Sequence, residues 1–117
     1  MDLNQDVTFD VKDVIERTGL DLEDYLEIYE LFQENFNELM GDLKQALADQ
    51  ETEKLMHTAH TLKGSTSNIG FAHIADLAKK IQDDPGDFEQ AANLIPQMEE
   101  LYVVLDKQVQ AVAATVS

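Results

Sequence analysis

From Leu22 onward the apolar residues of this chain recur at steps of three and four, in four runs separated by short polar breaks. Only an α-helix places residues so spaced on one face, so the period by itself dictates helices and leaves no room for strands. The first run comprises Leu22, Tyr25, Tyr29, Phe32, Phe36, Leu39, Leu43 and Leu47 and extends to about Ala48. Asp21 is placed to cap it, with Asp24 three residues on in the capping-box position. After a polar break at 49–51, Leu55, Ala59, Leu62, Thr66 and Ile69 form the second run, which stops at Gly70. Ile74, Leu77, Ala78 and Ile81 form a third, which the cluster Asp83, Asp84, Pro85, Gly86 ends. Phe88, Ala91, Ile95, Met98, Tyr102, Leu105, Val109, Val112 and Val116 form the last, and Pro96 inside it predicts a kink or a short break. Ahead of these runs, Asp10, Val11, Val14 and Ile15 predict a short opening helix ending at Gly19.

Four amphipathic helices joined by connections of a few residues pack most simply as an antiparallel bundle. The expected fold is therefore all-α: an antiparallel four-helix bundle with a short N-terminal helix capping one end and a long last helix. With 117 residues and no linker or internal repeat, residues 1–117 read as a single domain.

Charge narrows the partners. The chain carries 8 Lys and Arg against 24 Asp and Glu, a formal net charge of −16, while 44% of its residues are hydrophobic. Such a chain folds, yet repels phosphate backbones and anionic lipid, so neither nucleic acid nor membrane is an expected partner. Glu23, Glu27, Glu30, Glu34, Glu38 and Asp42 read as a solvated helix surface. With no cysteine, disulfides, thiolate nucleophiles and sulfur-ligated zinc are excluded. Met1 to Asp10 has three aspartates and no basic residue, and no run approaches 18 apolar residues, so a cytoplasmic location is expected. A di-iron bundle would need Glu-x-x-His pairs, but Lys54, His57 and Gly70 precede His57, His60 and His73 by three. An EF-hand loop built on Gly86 would put Ile81 at its first carboxylate position.

The chemistry concentrates in residues 57–82, which hold three lysines and one acid, Asp76, whereas the rest of the chain holds five basic and 23 acidic residues. Here local propensity and period disagree. Gly64, Ser65, Thr66, Ser67 and Asn68 are weak helix formers, but Leu55, Ala59, Leu62, Thr66 and Ile69 keep one stripe, so the helix is predicted to continue through them. On that helix His57, His60, Gly64 and Ser67 fall on the side away from the core. A glycine there costs about 0.5–1 kcal/mol relative to alanine and bares the backbone one turn beyond His60, which suits the close approach of another surface. Lys63 can bend its ammonium toward the same place. A neutral imidazole nitrogen is a workable nucleophile, and a nearby ammonium offsets the charge of a phosphoryl group, so the local logic is phosphoryl acceptance.

The run Ala59-His60-Thr61-Leu62-Lys63-Gly64-Ser65-Thr66-Ser67-Asn68-Ile69-Gly70 resembles the phosphoacceptor motif of histidine-containing phosphotransfer (HPt) domains of two-component phosphorelays. The helix plan of residues 10–115 also has that family's lengths and order. The resemblance implies that His60 carries phosphate on Nε2, that Lys63 neutralises it, and that Gly64 is the close-approach glycine. It places at Gln82 the Gln or Glu that accepts a hydrogen bond from the other ring nitrogen. Thr66 stands where the family often has a second serine. Ser67 and Lys79, with Lys80 beside it, are candidates for contact with partner or phosphate.

The function so implied is a phosphorelay intermediate: His60 accepts a phosphoryl group from a receiver-domain aspartate and passes it to another. The partners are receiver domains of response regulators and of a hybrid sensor kinase, and the protein is expected to be a monomer. No nucleotide-binding loop or kinase signature is present, so it reads as a phosphocarrier, not an enzyme, with no cofactor of its own and Mg²⁺ on the partner receiver domain. The alternatives are a noncatalytic helical adaptor and the phosphotransfer domain of a larger sensor or chemotaxis kinase.

Overall fold

The computed structural model describes residues 11–115 and contains, among them, five helices and no strand: α1 (Val11–Thr18), α2 (Leu22–Ala48), α3 (Thr52–Ile69), α4 (Ala72–Asp83) and α5 (Phe88–Ala113). Asp10 and Val116, counted above with the first and last helices, lie outside the described residues. The helix ends follow from local chemistry. Asp21 accepts a hydrogen bond from the Asp24 amide at 2.8 Å, and Asp87 accepts one from the Gln90 amide at 3.0 Å, so α2 and α5 each start on an aspartate cap. At the end of α3, Gly70 turns left-handed (φ +93°) while its N–H donates to Ser67 and the Phe71 N–H donates to Thr66, a Schellman closure.

The four long helices form a closed ring in which α2 packs on α3, α3 on α4, α4 on α5 and α5 on α2; α1 lies against α5. The interior is filled by Tyr25, Tyr29, Phe32 and Phe36 of α2, Leu55, Ala59 and Leu62 of α3, Ile74, Ala78 and Ile81 of α4, and Met98, Leu105 and Val109 of α5. Phe71, from the α3–α4 turn, is fully buried and edge-packs on Phe32 at 5.4 Å and Tyr29 at 6.0 Å between ring centroids. Tyr102 stacks on Phe36 at 4.3 Å. Such pairs add about 0.5–1.5 kcal/mol each beyond the area they bury. The Tyr29 hydroxyl and the Gln33 amide both donate to Asp106 of α5, at 2.7 and 3.0 Å.

Two details depart from the expected pattern. In α2, Met40 and Ala46 are buried while Leu39 and Leu47 are half-buried. At about 100° per residue, Leu39 and Leu47 lie about 40° to either side of Leu43 and Met40 and Ala46 about 60°, so all four belong to one apolar face and the neighbouring helices, not the period, decide which are fully covered. α5 runs through Pro96 as one helix, so of the kink or short break expected there the break does not occur. Pro96 and Ala92, whose carbonyl loses its donor, are both exposed, so the missing bond falls on the solvent side of the helix and not in the core. No helix among the described residues is long and apolar enough to cross a membrane.

Candidate functional site

The core anchors α3 through Leu55, Thr58, Ala59, Leu62, Thr66 and Ile69, which leaves His57, His60, Gly64 and Ser67 exposed on the opposite side. The helix runs unbroken through the weak formers, as the stripe predicts. Part of the reason is Thr66: its buried hydroxyl donates to the Leu62 carbonyl at 2.7 Å, so it satisfies itself within the helix instead of opening it. Lys63 is half-buried one turn after His60 and forms no ion pair among the described residues.

Gly64 adopts ordinary helical geometry, and a Cβ built on it would meet nothing within 4 Å. Neither backbone conformation nor internal packing therefore demands glycine there. The position gives up helix stability for no gain inside the molecule, and what it does provide is bare backbone next to an exposed imidazole.

α3 and α4 are adjacent and antiparallel, joined by the turn at Gly70 and Phe71. At 1.5 Å per residue, His60 lies roughly 15 Å and Gln82 roughly 17 Å from that turn, so the two stand at similar heights on neighbouring helices. Gln82 is half-buried, and its Oε1 is a buried acceptor with no hydrogen-bond partner among the described residues. Gln90 Oε1 on α5 is in the same state, so what distinguishes Gln82 is its height beside His60 on the neighbouring helix. The other candidates are less closely gathered. Ser67 lies two turns past His60 and lines a hollow with Asp13, Arg17, Asn68 and His73, at the end of the bundle that α1 covers. Lys79 is exposed, with its Nζ 4.0 Å from Asp83.

Beside this face, the seam between α2 and α3 holds two hollows that share Asn35 and Ser65. One is bordered by Ile28 and Leu31, the other by Glu38, Asp42 and Thr61. Ile28 and Leu31 are 46% and 62% exposed, a high price in water for large apolar side chains. Period alone could not reveal this seam, since it arises where two separate runs meet; nor did any motif flag Phe71, which follows the glycine that ends α3.

The family model of the Hpt domain matches residues 27–115, so the motif, both hollows and all of α3, α4 and α5 fall within it. The chain belongs to the Hpt family and is a histidine phosphotransfer domain of two-component signalling. Domains of this class are phosphocarriers rather than kinases, and they exchange phosphoryl groups with receiver domains. No curated protein and no solved structure gives a significant match to the chain.

Proposed function

We propose that His60 is the phosphoacceptor of a phosphorelay intermediate formed by residues 1–117 as one domain, acting as a monomer in the cytoplasm between two receiver domains. One receiver belongs to a hybrid sensor kinase and the other to a response regulator. The observation that carries this reading is the pairing of exposed His60 with Gly64, a helical glycine whose Cβ space is empty.

In this reading Gln82 Oε1 accepts the hydrogen bond of His60 Nδ1–H, which fixes the tautomer whose Nε2 lone pair is free. That lone pair attacks the phosphorus of the receiver's aspartyl phosphate. The N–P bond forms as the P–O bond to the aspartate breaks, and the carboxylate leaves with the electron pair. The Lys63 ammonium offsets the charge arriving on the helix, and Mg²⁺ held by the receiver would supply charge neutralisation at the phosphoryl oxygens. Transfer onward is the reverse reaction at a second receiver. Gly64 admits the receiver surface, Ile28 and Leu31 supply apolar contact at its edge, and Ser67 and Lys79 lie on its approach.

Incubation with a phosphorylated receiver domain and Mg²⁺ tests this. The protein should acquire acid-labile, alkali-stable label, and His60→Gln should acquire none. Label retained by His60→Gln overturns the site; no label from any receiver leaves a helical adaptor as the better reading.

A further inference from the structure

His57 precedes His60 by three residues on α3, and positions so spaced on a helix are surface neighbours, with Cβ atoms about 5–6 Å apart. Helical side chains lean toward the N-terminus, which brings the turn that carries His57 within reach of the His60 ring. Both residues are exposed, and neither imidazole makes a hydrogen bond or ion pair among the described residues. Their nitrogen lone pairs are thus uncommitted. The helix beneath is held by Leu55, Ala59 and Leu62, all fully buried, so the pair is displayed on a rigid support.

We infer that His57 and His60 form a two-nitrogen chelate for a borderline divalent transition-metal ion such as Zn²⁺, which completes its shell with water. Imidazole suits Zn²⁺, Ni²⁺ and Cu²⁺, whereas Mg²⁺ and Ca²⁺ require oxygen ligands. Glu53, one turn before His57 on the same exposed face, adds an attracting negative charge, while Lys54 and Lys63 on the flanks oppose it. Among the described residues no three histidine or carboxylate side chains gather into a metal site, so the ion is exchangeable rather than structural. If His60 is the phosphoacceptor proposed above, a consequence follows. A lone pair given to the metal is withheld from phosphorus, and the ion competes with phosphorylation.

Calorimetric titration of the full chain with ZnCl₂ tests the site directly. One saturable site is expected, lost in His57→Gln and in His60→Gln and not reproduced by MgCl₂. Undiminished binding in either variant, equal binding of Mg²⁺, or no binding to the wild type overturns the proposal. In a second arm, Zn²⁺ should suppress labelling of the wild type by a phosphorylated receiver but spare His57→Gln, which also controls for zinc acting on the donor. Equal suppression in both removes the competition. If the wild type takes no label even without zinc, the phosphoacceptor reading fails while the titration still decides the chelate.

Discussion

Val14 of α1 occupies the space that a side chain on Gly70 would need: a Cβ there would lie 2.6 and 2.8 Å from the two methyl groups of Val14. Gly70 also holds φ +93°, where any other L-residue is strained. The glycine thus closes α3 and seats the opening helix with the same missing atom. Gly70→Ala should cost about 2–5 kcal/mol, from left-handed strain of about 1–2 and overpacking of about 1–3. The urea midpoint reads this out; an unchanged midpoint would refute the account. Val14→Ala alongside Gly70→Ala should recover the overpacking part and leave the strain.

Gly64 is the contrasting case. Its helical geometry and empty Cβ space mean that Gly64→Ala should stabilise the fold, by about 0.5–1 kcal/mol, while a bulky replacement such as Gly64→Gln leaves the fold intact and slows phosphotransfer from a receiver. The informative measurement is both quantities on the same protein. A Gly64→Gln variant that is folded and transfers at the wild-type rate would remove the close-approach role.

Gln82→Leu separates orientation from support. The Gln82 oxygen is buried without a donor, so replacing it by a side chain of similar size should leave stability unchanged or raise it by about 1 kcal/mol. Phosphorylation of His60 should nevertheless slow, because the ring loses the acceptor proposed to fix its tautomer, and Gln82→Glu should restore much of the rate. Loss of stability together with unchanged labelling would make Gln82 a packing residue only.

The helices were legible because their signals are local. Periodicity located α2 as 27 residues ending at Ala48, and Asp21 announced its cap. The same period overruled propensity in the Gly64 to Asn68 stretch, since five weak formers cost less than the burial of Leu62, Thr66 and Ile69 returns. What sequence could not show depends on how separate runs meet. Phe71 follows a helix-ending glycine and stands one step of three before Ile74, so the period marks it as apolar-facing but does not show that it reaches across to the aromatic rings of α2. The orphaned oxygen of Gln82 and the α2–α3 seam exist only once α3 lies between α2 and α4. His60 was legible as exposed from the period, whereas Gln82 as its neighbour came only from the resemblance and not from any pattern within the run that carries it.

Alkaline pH should weaken the bundle through its phenols. The Tyr25 hydroxyl donates to the Ile69 carbonyl at 2.9 Å, tying α2 to the last turn of α3, and burial pushes its pKa up to about 12. Burial raises Tyr29 still further, reinforced by its hydrogen bond to Asp106. A folded-state pKa above the unfolded value of about 10 means that the unfolded chain releases the proton first. The stabilisation is therefore complete below about pH 10 and is lost as the pH climbs from there toward 12. Urea unfolding at intervals from pH 8 to 12 should show stability falling over that window. Lysines titrate in the same range, so the comparison that isolates the phenol is Tyr25→Phe. That variant starts lower by about 1–3 kcal/mol, because the Ile69 carbonyl loses its donor, but its stability should decline less steeply with pH. Parallel curves for the two proteins would show that ionisation of Tyr25 is not coupled to unfolding.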